Sequence, residues 1–271
     1  MGFIVWSSQE KLTERTTAMW LKNGDHSALV SPQGGSILQW QWREHMILGP
    51  THMVRVGDEL KSRGESHWCY PNFGTAPPEW QAVCPKHGPF RKILLEPQFG
   101  ETFQFAEFTG KPGRGGAGMK VDYNLGTDGL IAKLSVDHLG KLNQRVPILP
   151  AFHPYFLVPT GLRMRLTVRM GDKELCWAGN SGSCSGVSKE ARVYERGDNL
   201  IEVTIDTVGK VTLDLPDDCT HIVVWSDYPC SYVCVEPIFG KPGTFGKPEG
   251  RWIDPGERIE CNVRLDFTSL I

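Results

Sequence analysis

The sequence predicts an all-β protein, a large antiparallel β-sandwich, on three observations. Apolar and polar residues alternate with period two in several stretches, as half-buried strands require because successive side chains face opposite ways. The chain's 30 glycines and 19 prolines in 271 residues exceed the usual shares of about 7% and 5%, which points to many turns. No apolar stripe of period 3.6 runs longer than three turns. Strands separated by turns, without intervening helices, favour a sandwich or barrel over an α/β fold.

In LIAKLSV, Leu130 to Val136 alternate in this way. In LRMRLTVRM, Leu162, Met164, Leu166, Val168 and Met170 are interleaved with Arg163, Arg165, Thr167 and Arg169. KVTLDL places Val211, Leu213 and Leu215 on one face, and IECNVRLDF does the same with Ile259, Cys261, Val263, Leu265 and Phe267. The connections include GKPGRGGAG (110–118), NSGSCSGVSK (180–189) and FGKPGTFGKPEG (239–250). The first is glycine-rich and basic but lacks the Gly-x-x-x-x-Gly-Lys-Ser/Thr order of a phosphate-cradling loop, so it reads as a hairpin connection. None of these loops divides the chain into compositionally different halves, and residues 1–271 are expected to form a single domain.

Composition narrows the function. With 40% hydrophobic and 22% charged residues, the chain has the make-up of a globular protein able to bury a large core. Its 29 basic and 31 acidic residues are mixed along its length and leave a net charge of −2. No basic face is offered to nucleic acid or anionic lipid, and a small-molecule partner is expected. The stretch MGFIVWSSQEKLTER has no cationic flank before its short apolar patch, and no apolar run approaches the ~18 residues of a membrane span. A cytoplasmic location follows as an expectation. The eight cysteines form no Cys-x-x-Cys pair and no zinc-type spacing, so reduced thiols are expected.

Ionisable groups collect among aromatics and prolines at three places: His87 in KHGPFRK, His153 in PAFHPYF and Glu236 in YVCVEPIFG. Either histidine alone reads as a structural residue whose ring nitrogens bond to backbone. A glutamate between Val-Cys-Val and Pro-Ile-Phe lies in a segment that should be buried. There an ionised carboxylate is expensive unless paired, with Arg145 or Arg91 as possible partners, or it becomes a general base with its pKa raised toward neutrality. Two histidines and one carboxylate around a metal is a further reading, but no local ligand spacing supports it.

Taken together, ALVSPQGGSILQWQW (28–42), RGESHWCYPNFG (63–74), HGPFR, FHPYF and VVWSDYPCSYVCVEPIFGKP (223–242) resemble the aldose 1-epimerase (mutarotase) superfamily in order and spacing. The resemblance covers most of the chain. In the hexose-6-phosphate epimerase branch the second segment reads Arg-Gly-Gly-Ile-Pro, three apolar residues, then Pro-x-Phe-Gly; Arg63, Gly64, Pro71, Phe73 and Gly74 match it. His87, Gly88 and Arg91 stand at the spacing of that branch's His-Gly-Phe-Ala-Arg motif, and Cys234, Glu236 and Pro237 meet its Cys-x-Glu-Pro.

The resemblance implies a galactose mutarotase-like sandwich with an open cleft and no cofactor or metal. It implies Glu236 as the base that removes the anomeric hydroxyl proton, His153 as the acid that protonates the ring oxygen, and His87 as the histidine that polarises that oxygen. Trp68, Tyr70, Phe73, Phe90, Tyr155 and Trp225 would offer apolar faces to the sugar ring, and Arg63 and Arg91, with Lys86 and Lys92 nearby, would hold a phosphate if the substrate carries one. Two departures bear on substrate recognition: Glu65, Ser66 and His67 replace Gly-Ile-Pro, and the galactose mutarotases' Asn-His-Ser-Tyr-Phe type motif is Phe152, His153, Pro154, Tyr155 and Phe156 here. A non-catalytic carbohydrate-binding protein is the reading from another class.

Overall fold

The computed structural model of the chain describes residues 18–56, 58–100, 102–110, 117–138, 144–160, 164–179, 184–185, 191–226 and 231–271. The amino-terminal stretch MGFIVWSSQEKLTER, the tip of GKPGRGGAG, most of NSGSCSGVSK, the first residues of LRMRLTVRM and residues 227–230 lie outside the described residues.

The predicted antiparallel β-sandwich is the observed architecture. Two ten-stranded sheets make up most of the described structure. Every strand pairing within them is antiparallel. The first sheet runs Met19–Asn23, His26–Ser31, Ser36–Trp42, His45–Leu48, Tyr155–Leu157, Tyr232–Ile238, Ala151–His153 and His67–Cys69, with His221–Trp225 added on the far side of Tyr232–Ile238 and Arg192–Glu195 paired to it. The second sheet contains the four strands expected from alternation: Gly129–His138, Arg165–Met170, Gly209–Asp214 and Arg258–Ser269. In Arg258–Ser269 the five apolar positions Ile259 to Phe267 are buried and the intervening ones point outward, as period two requires. Among the described residues no helix is long and apolar enough to cross a membrane.

One large apolar cluster fills the space between the sheets, with Trp40, Trp68, Tyr123, Phe108, Phe152, Phe156 and Phe239 among its members. The outer face of the first sheet carries different side chains. The strand Tyr232–Ile238 is buried along its whole length, because segments 151–157 and 221–225 flank it on both edges. Such a central strand holds its side chains in fixed positions.

Candidate active site

Register alone brings two of the candidate residues together. Ala151 pairs with Ile238 and Tyr155 with Cys234, so His153 lies opposite Glu236 on neighbouring antiparallel strands. Their side chains share the outer face, where His153 Nε2 and Glu236 Oε2 are 3.4 Å apart. The contact is an ion-pair distance without hydrogen-bond alignment, since Glu236 Oε2 has no hydrogen-bond partner among the described residues. Both residues are buried, at 4% and 2% exposure. Pro154 separates the two short strands and gives up a backbone donor, while the next N–H, of Tyr155, bonds to Ser66 Oγ at 3.1 Å.

His87 reaches the same place from a loop. Its φ of +64° is left-handed, a conformation non-glycine residues adopt only under constraint. The constraint is visible: His87 N–H donates to the Gly74 carbonyl at 2.9 Å, and Gly74 N–H donates back to His87 Nδ1 at 3.3 Å. Gly88 follows at φ +71°, and a Cβ there would collide with the Tyr70 carbonyl, so the His-Gly order is a steric requirement. The Cys69 thiol lies 3.5 Å from the same Nδ1. With Nδ1 accepting from Gly74, a neutral His87 carries its proton on Nε2. The ring meets His153 edge-on at 5.5 Å and Phe73 at 5.2 Å.

A third histidine, His67, completes the cluster. On the strand His67–Cys69, Trp68 turns into the core, so His67 and Cys69 share the opposite face. His67 is the cross-strand partner of His153, and the two rings stack at 5.0 Å. Tyr155 stacks on the other face of His153 at 4.8 Å, and Trp225 meets it edge-on at 6.1 Å. The guanidinium of Arg63 lies 5.5 Å from the centre of the Trp225 ring. Arg91 sits in a short 3-10 turn, Phe90–Lys92, pressed against Gly34. A Cβ on Gly34, whose φ is +61°, would come within 2.5 Å of Arg91 Cα, which explains the glycine pair in SPQGGS.

Desolvation dominates the electrostatics. Burial pushes the His153 imidazole well down, and the neighbouring His67, His87 and Arg91 charges add to it. Burial likewise lowers His67 to about 4 and His87 to about 3. The Glu236 carboxyl moves well up for the same reason, with Lys86 opposing weakly. Burial thus works against both charged forms and favours a neutral carboxyl beside a neutral imidazole over an ion pair.

Three aromatics expected to face the sugar are instead buried in the core. Trp68 is fully buried in the inter-sheet core against Phe152 and Phe239, and Tyr70 packs in the same core edge-on to Phe90, itself fully buried. Alternation along His67–Cys69 turns Trp68 away from the face of its two neighbours. His67, which stands where the chain departs from the Gly-Ile-Pro pattern, is a cluster residue that its position among polar neighbours does not single out. Its signal was the pattern His-Trp-Cys, in which a core tryptophan sends both flanking side chains to the other face.

His153, Cys234 and Glu236 offer one nitrogen, one sulfur and one oxygen within 4.8 Å of one another, a donor set for a borderline-soft divalent cation. The orienting partner a metal-bound imidazole normally keeps on its second nitrogen is missing, since His153 Nδ1 has no hydrogen-bond partner among the described residues. The donors present thus fit a cation poorly. A concavity of about 310 Å³, lined by residues including Glu195, Asp198, Asp217 and His221, shares no residue with this cluster.

No family model matches the chain, and no curated protein matches it by sequence. Solved structures do. A galactose mutarotase related enzyme from Lactobacillus acidophilus is 18% identical, with 93% of this chain and 98% of that chain covered at a TM-score of 0.69. A galactose mutarotase-like protein from Lactobacillus casei is 14% identical over 93% and 100% of the two chains, also at 0.69. A candidate aldose 1-epimerase from Escherichia coli K12 is 15% identical over 94% and 100%, at 0.71. At these identities the likeness speaks for architecture, and the chain has the galactose mutarotase-like β-sandwich fold.

Proposed function

We propose that the protein is an aldose 1-epimerase that interconverts the α and β anomers of a hexose by acid/base ring opening and reclosure. One observation carries the reading: His153 and Glu236 stand on facing strands, 3.4 Å apart, in a desolvated site. A hemiacetal opens when one proton leaves O1 while another reaches O5. Both oxygens are bonded to C1, so the acceptor and the donor have to be close neighbours, as these two are. Glu236 takes the O1 proton and His153 delivers one to O5. Moving the carboxyl proton of the neutral pair to the imidazole sets up these roles without changing the net charge, so no proton need be imported. His87, with its proton on Nε2, polarises O5. After rotation about C1–C2 the aldehyde recloses on its other face and the proton transfers reverse. The chemistry asks for no metal or cofactor.

A hexose 6-phosphate is the second substrate reading, favoured by the partly exposed Arg63 and Arg91 beside the cluster. Arginine forks suit a phosphate dianion.

Anomer exchange measured by saturation-transfer NMR on glucose, galactose and glucose 6-phosphate, for wild type and Glu236→Gln, tests the proposal. Removing the base should slow exchange about 10²–10⁴-fold, and the preferred sugar decides between the two substrates. Equal rates in both proteins would overturn the role of Glu236. Sugar binding without exchange in wild type would make the protein a carbohydrate binder.

A further inference from the structure

The proton chemistry uses His153, Glu236 and His87 and leaves His67 without a task, although it is as buried as His153 at 4% exposure. Its Nδ1 lies 2.8 Å from the Glu65 carbonyl oxygen. An imidazole nitrogen facing a carbonyl must carry the hydrogen, so Nδ1–H donates there and Nε2 is left with a bare lone pair. Among the described residues that buried Nε2 has no hydrogen-bond partner, and Glu236 Oε2 and His153 Nδ1 in the same cluster share that state. Native structures rarely leave buried polar atoms unpaired. Three of them around one stacked pair of rings point to a ligand that supplies their partners.

We propose that His67 is a specificity-determining residue that binds substrate through Nε2, which accepts a hydrogen bond from a ring hydroxyl other than the anomeric one. The assignment rests on the epimerase reading for the ligand being a sugar. His153 and Glu236 occupy the anomeric centre, and His67, stacked beside His153, reaches the neighbouring part of the ring. Because burial keeps the imidazole neutral down to about pH 4, the acceptor persists at neutral pH. Phosphate oxygens bring only lone pairs to this position, so the phosphate of a sugar phosphate must point away from His67. The position is also where this chain departs from the Arg-Gly-Gly-Ile-Pro pattern; a proline there would have no acceptor to offer.

The test is an NMR titration of glucose, galactose and their 2-, 3-, 4- and 6-deoxy derivatives into wild type, His67→Phe and His67→Gln, with anomer exchange recorded in parallel. Phenylalanine keeps a flat ring against His153, and glutamine restores an acceptor oxygen near the former Nε2. In wild type, one deoxy sugar should bind between about tenfold and a hundredfold more weakly than its parent, the range for one buried group left unpaired. In His67→Phe that ratio should collapse toward one, and His67→Gln should restore part of it. The nitrogen-15 spectrum of wild type needs no variant: His67 Nε2 should resonate as an unprotonated ring nitrogen and shift when the parent sugar binds.

Discrimination that is missing in wild type, or that survives in His67→Phe, overturns the proposal, as does a wild type that binds none of the panel. A wild type that binds with the expected deoxy pattern but does not exchange anomers upholds His67 and removes the epimerase reading.

Discussion

Acidification should unfold this protein in part through His67. The side chain is 4% exposed, and burial, opposed only by the bond to Glu65, lowers its imidazole from 6.5 to about 4. As the pH falls through 6.5 the unfolded chain takes a proton on this ring, whereas the folded chain takes one only near pH 4. Between those values the unfolded state binds more protons, so stability rises with pH across the window and is lost on the way down. At about 1.4 kcal/mol per pH unit, the window corresponds to about 3 kcal/mol, a large fraction of the 5–15 kcal/mol of a typical domain. His67→Gln cannot take up that proton. Its stability relative to wild type should therefore improve by about 3 kcal/mol between pH 7 and pH 4. Urea unfolding followed by tryptophan fluorescence at four pH values in that range reads the difference. Comparing the proteins at each pH removes the burial contributions of His153 and His87 and leaves the His67 proton together with its repulsion of those two rings. A difference that stays constant with pH refutes the reasoning.

Gly88→Ala places a Cβ against the Tyr70 carbonyl at φ +71°; it should cost more than about 2 kcal/mol and, by displacing His87, lower anomer exchange in the protein that remains folded. Thermal melting and NMR exchange together check this, and a stable, fully active variant would contradict it. Trp68→Leu should destabilise by about 2–4 kcal/mol through a core cavity while leaving KM unchanged, measured on refolded protein; a raised KM would return Trp68 to the sugar site. Arg91→Leu should raise KM for glucose 6-phosphate at least tenfold and leave free glucose nearly unaffected if a phosphate is held there; equal effects on both sugars would assign Arg91 to structure.

Much of the fold was legible because a sheet packed on one side writes its period into the chain. Leu130 to Val136 and Ile259 to Phe267 announced their buried faces without ambiguity. His153, Glu236 and His87 were legible one at a time, as ionisable groups in segments too apolar to leave them in water. Their convergence was not, since it depends on the register between 151–157 and 232–238 and on a left-handed backbone at His87. Neither leaves a local signature in the sequence.

Strand alternation, the turn-rich connections and the burial of Glu236 are readable from the chain alone, whereas the need for glycine after His87 follows from the close approach of the Tyr70 carbonyl. Packing settles which face of the His67–Cys69 strand meets the core. Period two says that His67 and Cys69 point one way and Trp68 the other, but it assigns neither direction to the core. Only the packing of the second sheet against the first sends Trp68 inward to Phe152 and Phe239, and in doing so delivers His67 to the outer face beside His153 and Glu236. Burial there, rather than residue type, then sets which of these groups carries the proton.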